Sequence, residues 1–120
     1  MNVLGLRCSN KDFAYAVMAG TLAAPAVVAV TTLAFPKNYS RPRSLHWCMQ
    51  EIEQLIRGHG IQSVVMKRFE GRSRGGSFEE RVEYEAAVYL AAAECAITNI
   101  CKKVKSTIAK DLGLKGRAHY

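Results

Sequence analysis

A short apolar strand, a basic glycine-rich loop and a long helix follow one another between residues 62 and 97. This unit constrains the fold more than any other part of the chain. Val64, Val65 and Met66 form an unbroken apolar run, the pattern of a strand covered on both faces, and such strands belong to sheets packed between helices. Lys67 closes the run. The loop EGRSRGG follows, and then SFEERVEYEAAVYLAAAECAI. There Ser77 and Glu80 have capping-box spacing, and Glu79, Glu80 and Glu83 put negative charge at the positive end of the helix dipole. Ligands of open α/β sheets gather at the carboxyl ends of strands, so Lys67 and the loop after it stand at the candidate site.

The chain before this unit reads as three strands and a helix. Residues 2–8, 12–20 and 26–35 are apolar runs, and residues 20–25 form a turn between the last two, which predicts an antiparallel meander. Residues 13–35 carry no charge, long enough for the ~20 residues of a membrane span. Lys11 upstream adds the look of a signal peptide. Pro25, however, divides the run, and its second half is rich in Val and Thr, so buried strands fit better. After the polar PKNYSRPR, Ser44 is the expected cap of a helix whose apolar face is Leu45, Cys48, Met49, Ile52, Leu55 and Ile56, stopped by Gly58 and Gly60. Trp47 falls opposite that face, beside Gln50, Glu51 and Gln54. It is expected either to anchor an interface, in a homodimer or with another partner, or to lie under a neighbouring loop.

Residues 98–103 fit a fifth strand. Val104, Ile108 and Leu112 then mark a final helix ending at Gly113. The order β-β-β-α-β-α-β-α predicts an α/β fold with a mixed five-stranded sheet, helices on its faces, and the strand of residues 64–67 beside that of residues 3–7. A chain of 120 residues is one domain of this kind.

Charge narrows the function classes. The net charge is +7 and the isoelectric point about 9.5, which favours nucleic acid, anionic lipid or an acidic protein patch as partner. Arg68, Arg72, Arg74 and Arg81 cluster around the central loop, and Lys102, Lys103, Lys105, Lys110, Lys115 and Arg117 face only Asp111 after Ile100. Cys8, Cys48, Cys95 and Cys101 contain no C-x-x-C pair, and His46, His59 and His119 show no metal-ligand spacing, so no metal is expected. The cysteines lie in apolar segments and read as reduced core thiols of a cytoplasmic protein. The loop GRSRGGS lacks the spacing of a phosphate-binding Walker sequence. No nucleophile–base–acid set is recognisable around Ser9, Ser77 or Cys8, and Glu79, Glu80, Glu83 and Glu85 read as a solvated helix start rather than a general base.

The element order resembles the ribonuclease-H-like fold, and the wording resembles its RuvC branch. VLGLRCSNKDFAYAVM is similar to a RuvC-type first hairpin, and LHWCMQEIEQLIRGHGIQSVVMK to the following helix and fourth strand. YEAAVYLAAAECA resembles the alanine-rich helix behind the sheet, and VKSTIAKDLGLKGRA the lysine-bearing final region. The hydrophobic strand ending in Lys, the Gly-Gly loop and the Glu-Ala-Ala helix together resemble an uncharacterised bacterial family of RuvC-like proteins. Active members of the fold hold two divalent metals on carboxylates of the first strand, the fourth strand and the last helix. The resemblance puts Arg7 at the first of these positions and Lys67 at the second, and implies a domain cut short before the third.

The expectation is therefore a catalytically degenerate RuvC-like domain that binds nucleic acid or another polyanion. Arg7, Lys67, Arg68, Arg72, Arg74, Lys102, Lys103 and Lys105 would carry the anion, with Glu85 or Glu70 as an internal alternative counter-charge to Arg7 and Lys67. Trp47 is the interface candidate. No catalytic residue, cofactor, metal or membrane is expected. The alternatives are a self-association or protein-interaction scaffold, and an enzyme with a rebuilt, metal-independent site.

Overall fold

The computed structural model describes residues 2–9, 11–20, 25–67 and 78–103. Strands β1 (Val3–Cys8), β2 (Asp12–Gly20) and β3 (Pro25–Ala34) are followed by helix α1 (Arg41–Gly58), strand β4 (Ser63–Lys67), helix α2 (Phe78–Glu94) and strand β5 (Ile100–Lys103). They make one five-stranded sheet in the order β3-β2-β1-β4-β5. Pairing is antiparallel from β1 to β3 and parallel from β1 through β4 to β5. This is the mixed sheet the sequence predicts, with β4 beside β1. The turn residues 21–24, the loop with Ser77, and the helix marked by Val104, Ile108, Leu112 and Gly113 lie outside the described residues.

Alternation along the strands sorts side chains onto two faces. Leu4, Leu6 and Cys8 of β1, Phe13 and Val17 of β2, and Val64 and Met66 of β4 share the face that the helices cover, and all are fully buried. Cys48, Ile52 and Ile56 of α1 and Tyr84, Val88 and Ala91 of α2 close this core. Each such aliphatic or aromatic side chain contributes ~1.5–3 kcal/mol by burial. The opposite face carries a smaller cluster of Ala16, Met18 and Val65, with Val3 and Cys101 against it.

The helix ends show one difference from expectation. Helix α1 begins at Arg41 rather than at Ser44, with Ser40 as its N-cap and a proline in its first turn. A proline there loses no hydrogen bond, because the first N–H groups have no intrahelical partner. Ser44 is thus inside the helix and buried, and its hydroxyl shares a 2.6 Å hydrogen bond with the Tyr84 hydroxyl. At the other end Gly60, at φ 58°, lets the Ile61 N–H return to the Ile56 carbonyl at 2.9 Å, a Schellman-type stop. Helix α2 closes the same way without a glycine: Ala96 sits at φ 59° and the Ile97 N–H donates to the Ala92 carbonyl at 2.8 Å.

Residues 13–35 supply β2 and β3, so the uncharged run is spent in the sheet. Among the described residues no helix is long and apolar enough to cross a membrane. Trp47 does not stand on a bare polar face. It is half-buried, with its ring centroid 6.1 Å from Phe13 and 6.0 Å from Phe35.

Candidate functional site

Parallel strands β1, β4 and β5 all finish at one end of the sheet. There β2 begins and β3 ends, and both helices start there too. The register aligns Leu6 with Met66 and Met66 with Lys102, and one step on Lys67 with Lys103. The same step on β1 is Arg7, so Arg7, Lys67 and Lys103 occupy consecutive strand ends. Strands lie ~4.8 Å apart, and two like charges ~6 Å apart repel by about 3 kcal/mol at an effective dielectric near 20. Arg7 and Lys67 belong to the face of Gly5 and Val65, and both are half-buried. Lys67 also keeps an interaction within the chain.

These residues do not fit a divalent metal. Two cations stand at the positions where the RuvC resemblance puts carboxylates, and among the described residues no group of three His, Cys, Asp or Glu side chains could hold an ion.

A carboxylate does lie buried on the helix side of the sheet. Glu85 of α2 is 2% exposed. Its Oε1 accepts from Lys102 Nζ at 2.8 Å, and its Oε2 from Arg81 Nε at 3.4 Å. A carboxylate this deep is tolerable only when paired, and Lys102 from the neighbouring strand end supplies the closer partner. The ammonium of Lys102 is thereby drawn toward the core, with the Tyr89 ring centroid 5.7 Å away. Of the expected anion-binding residues, the fold brings Arg7, Lys67, Lys102 and Lys103 to one rim. Arg68, Arg72, Arg74 and Lys105, like Glu70, lie outside the described residues.

The thiols offer no nucleophile in the core. Burial pushes Cys8 far above the ordinary thiol range and raises Cys48 to about 12, so neither is a thiolate near neutral pH. Burial also raises Cys95. Cys95 and Cys101 are half-buried rather than core residues, and all the cysteines are free.

A second feature of this rim does not emerge from the sequence. Lys11, Asp12, Phe35, Lys37, Tyr39, Arg41, Ser44, Glu80 and Tyr84 line a cleft between the β1–β2 turn and the starts of the two helices. Its signal is present in PKNYSRPR, where basic residues alternate with a tyrosine, but the prolines make the segment look like a plain loop.

No protein-family model and no curated protein sequence matches the chain. Solved structures do. RuvC of Thermus thermophilus superposes with a TM-score of 0.76 at 12% identity, covering 100% of this chain and 85% of that one. The T. thermophilus RuvC complex with a Holliday junction substrate gives 0.74 at 13% identity, covering 100% of this chain and 84% of that one. The yeast mitochondrial Holliday junction resolvase Ydc2 gives 0.62 at 16% identity, covering 89% of this chain and 52% of its own. Identities this low speak for the fold alone. With its three antiparallel strands, its parallel extension and its helices in the same order, this chain has the ribonuclease-H-like fold of the RuvC structures.

Proposed function

We propose that this RuvC-like domain binds nucleic acid at the carboxyl rim of its sheet, as a binding module without metal-dependent cleavage. The observation that carries the reading is the register: Arg7, next to last in β1, and Lys67, last in β4, are each one step beyond the Leu6–Met66 pair, with Lys103 next in line. Cations side by side at a strand rim make a positive surface whatever contacts each keeps within the chain, and a row of phosphates is the polyanion that such a surface attracts. Arg7 offers a planar set of donors to a phosphate, while Lys67 acts as a point charge. Arg68, Arg72, Arg74 and Lys105 follow the ends of β4 and β5 in the sequence and would extend the contact. Lys102 is committed to Glu85 and supports the rim from behind rather than contacting phosphate. A solved relative holding a Holliday junction supports nucleic acid over other polyanions. Free thiols suit the reducing cytoplasm as the place of action.

The test is the double variant Arg7→Asp with Lys67→Glu, assayed for thermal stability, Mg²⁺ binding and a salt series of DNA and RNA binding. We expect a folded protein whose affinity falls at least tenfold and whose salt slope drops by about 2. Unchanged affinity in the folded variant would eliminate the rim as the site.

A second reading, self-association, is favoured by one observation. Strand β3 is an uncharged sheet edge on which Val27, Val28 and Val30 are 58%, 57% and 60% exposed. The occupant it suits is the same uncharged strand of a second copy. Trp47, half-buried on α1, could contribute to an interface only with its outer edge.

A further inference from the structure

The cleft on the helix side of the rim has a volume of about 670 Å³. Phe35, Ser44 and Tyr84 are buried at its floor, where the Phe35 and Tyr84 rings stack with centroids 3.6 Å apart. Arg41 forms a wall and is fully committed. Its Nε donates to Glu83 Oε1 at 2.6 Å, its Nη2 to the Glu80 carbonyl at 2.9 Å, and its guanidinium lies 4.5 Å from the Tyr84 ring centroid. Asp12 accepts from the Ser9 hydroxyl at 3.0 Å.

The mouth is different. Lys11 and Lys37 are exposed there, and neither ammonium has an ion pair among the described residues. Beside them Arg43, exposed and likewise without an ion pair among the described residues, lies over the Tyr39 ring at 3.9 Å. That stacking holds the guanidinium flat and leaves its edge donors outward. The first turn of α1 contains no acidic residue.

We propose that Lys11, Lys37 and Arg43 form a second phosphate-contacting segment, over which the nucleic acid bound at Arg7 and Lys67 continues. The inference rests on the nucleic-acid reading and deepens it by giving the strand a path. Sheet order sets the lateral part of that path: β4 and β3 are three strand spacings apart, ~14 Å or about four phosphate steps along one duplex strand, and the nucleic acid crosses the end of the sheet from the face of Arg7 and Lys67 to the helix side. The half-buried carboxylate of Asp12, which lines the cleft, opposes a phosphate seated at its floor. Phosphates therefore stay at the mouth, as in a chain passing over, and a mononucleotide does not lodge within.

The experiment uses the full chain and a fluorescein-labelled duplex DNA of arbitrary sequence, with affinity measured across a NaCl series. Lys11→Ser with Lys37→Ser should reduce the slope of log affinity against log salt by about 2, since each phosphate contact contributes ~0.9. Arg57→Ser, at the far end of α1, should leave affinity and slope unchanged. An unchanged slope in the folded double variant, with wild-type binding intact, would overturn the second segment and leave the Arg7–Lys67 reading standing. Displacement of the duplex by AMP as effective, per molecule, as unlabelled duplex would also overturn it, in favour of a mononucleotide pocket. Wild-type protein that does not bind the duplex at low salt would instead remove the nucleic-acid reading itself, and this segment with it.

Discussion

Glu85 shows how one side chain divides the basic residues of this rim into structural and available ones. Its carboxylate is 2% exposed and lies 2.8 Å from Lys102 and 3.4 Å from Arg81. Removing it takes the carboxylate from Lys102 and one partner from Arg81 at the edge of a low-dielectric core, and breaking such a buried pair costs about 3–5 kcal/mol. Because Arg81 and Lys102 keep 17% and 32% of their side-chain exposure, water relieves part of this, and Glu85→Ala should cost about 3 kcal/mol. Chemical denaturation would read the loss as a lower midpoint at unchanged slope. A loss under about 0.5 kcal/mol, the range of ordinary surface substitutions, would show that the cluster is only incidental. From sequence, Glu85 reads as part of a solvated helix start or as an internal counter-charge to Arg7 and Lys67; the structure pairs it with Lys102 and Arg81 instead. Four carboxylates within seven residues hide the one that faces inward, because only the packed position of α2 decides which helix face is covered. Arg7 and Lys67 are legible for the opposite reason: each ends an apolar strand, so its position follows from the strand alone.

At the level of elements, the sheet is almost wholly readable, since each strand is a compact apolar run bounded by turn residues. The helix start at Arg41 is not, because Pro42 signals a loop and a first helical turn equally well. Nor is the contrast between the sheet's two edges. Strand β5 is short and ends in two lysines, a common protection of an edge. Strand β3 spans Pro25–Ala34 with no charge at all. Besides Pro25 at its start, it is protected by the register shift opposite Val17 and Met18, which leaves Val28 as an extra residue. Beyond it, residues 29–34 are a regular edge open to pairing. Wild-type protein should accordingly show a concentration-dependent dimer in sedimentation equilibrium. Val30→Lys sets like charges close to the two-fold axis of a β3–β3 pair and should weaken that dimer about tenfold or more. A strictly monomeric wild type, or a dimer indifferent to Val30→Lys, would dismiss the edge as the association surface.

At the scale of the whole molecule, the basic residues among those described are sorted along the strand axis. Arg7, Lys11, Lys37, Arg41, Arg43, Lys67, Arg81, Lys102 and Lys103 all lie where strands β1, β4 and β5 finish and the helices start. Among the described residues, Arg57 is the one cation toward the other end, and it is paired with Glu53 at 3.2 Å. Such sorting has a thermodynamic signature that does not depend on any ligand being identified. Crowded like charges lower the stability of the folded state, and the repulsion among exposed ones is screened once the Debye length falls below their spacing, ~10 Å at 0.1 M salt. The opposing attractions are screened less where they are buried, as at Glu85. Added NaCl should therefore raise the melting temperature. Relief of about 1 kcal/mol corresponds to ~4 °C for a domain of this size. At matched ionic strength, inorganic triphosphate should raise it further, since a multivalent anion that binds the folded rim stabilises it by mass action as well as by screening. The Arg7→Asp, Lys67→Glu variant should lose most of the triphosphate increment, because its rim no longer carries the charges that bind. A melting temperature that falls with NaCl would mean that surface ion pairs such as Arg41 with Glu83 outweigh the crowding at the rim, and the anion-seeking character ascribed to that end of the sheet would go with it.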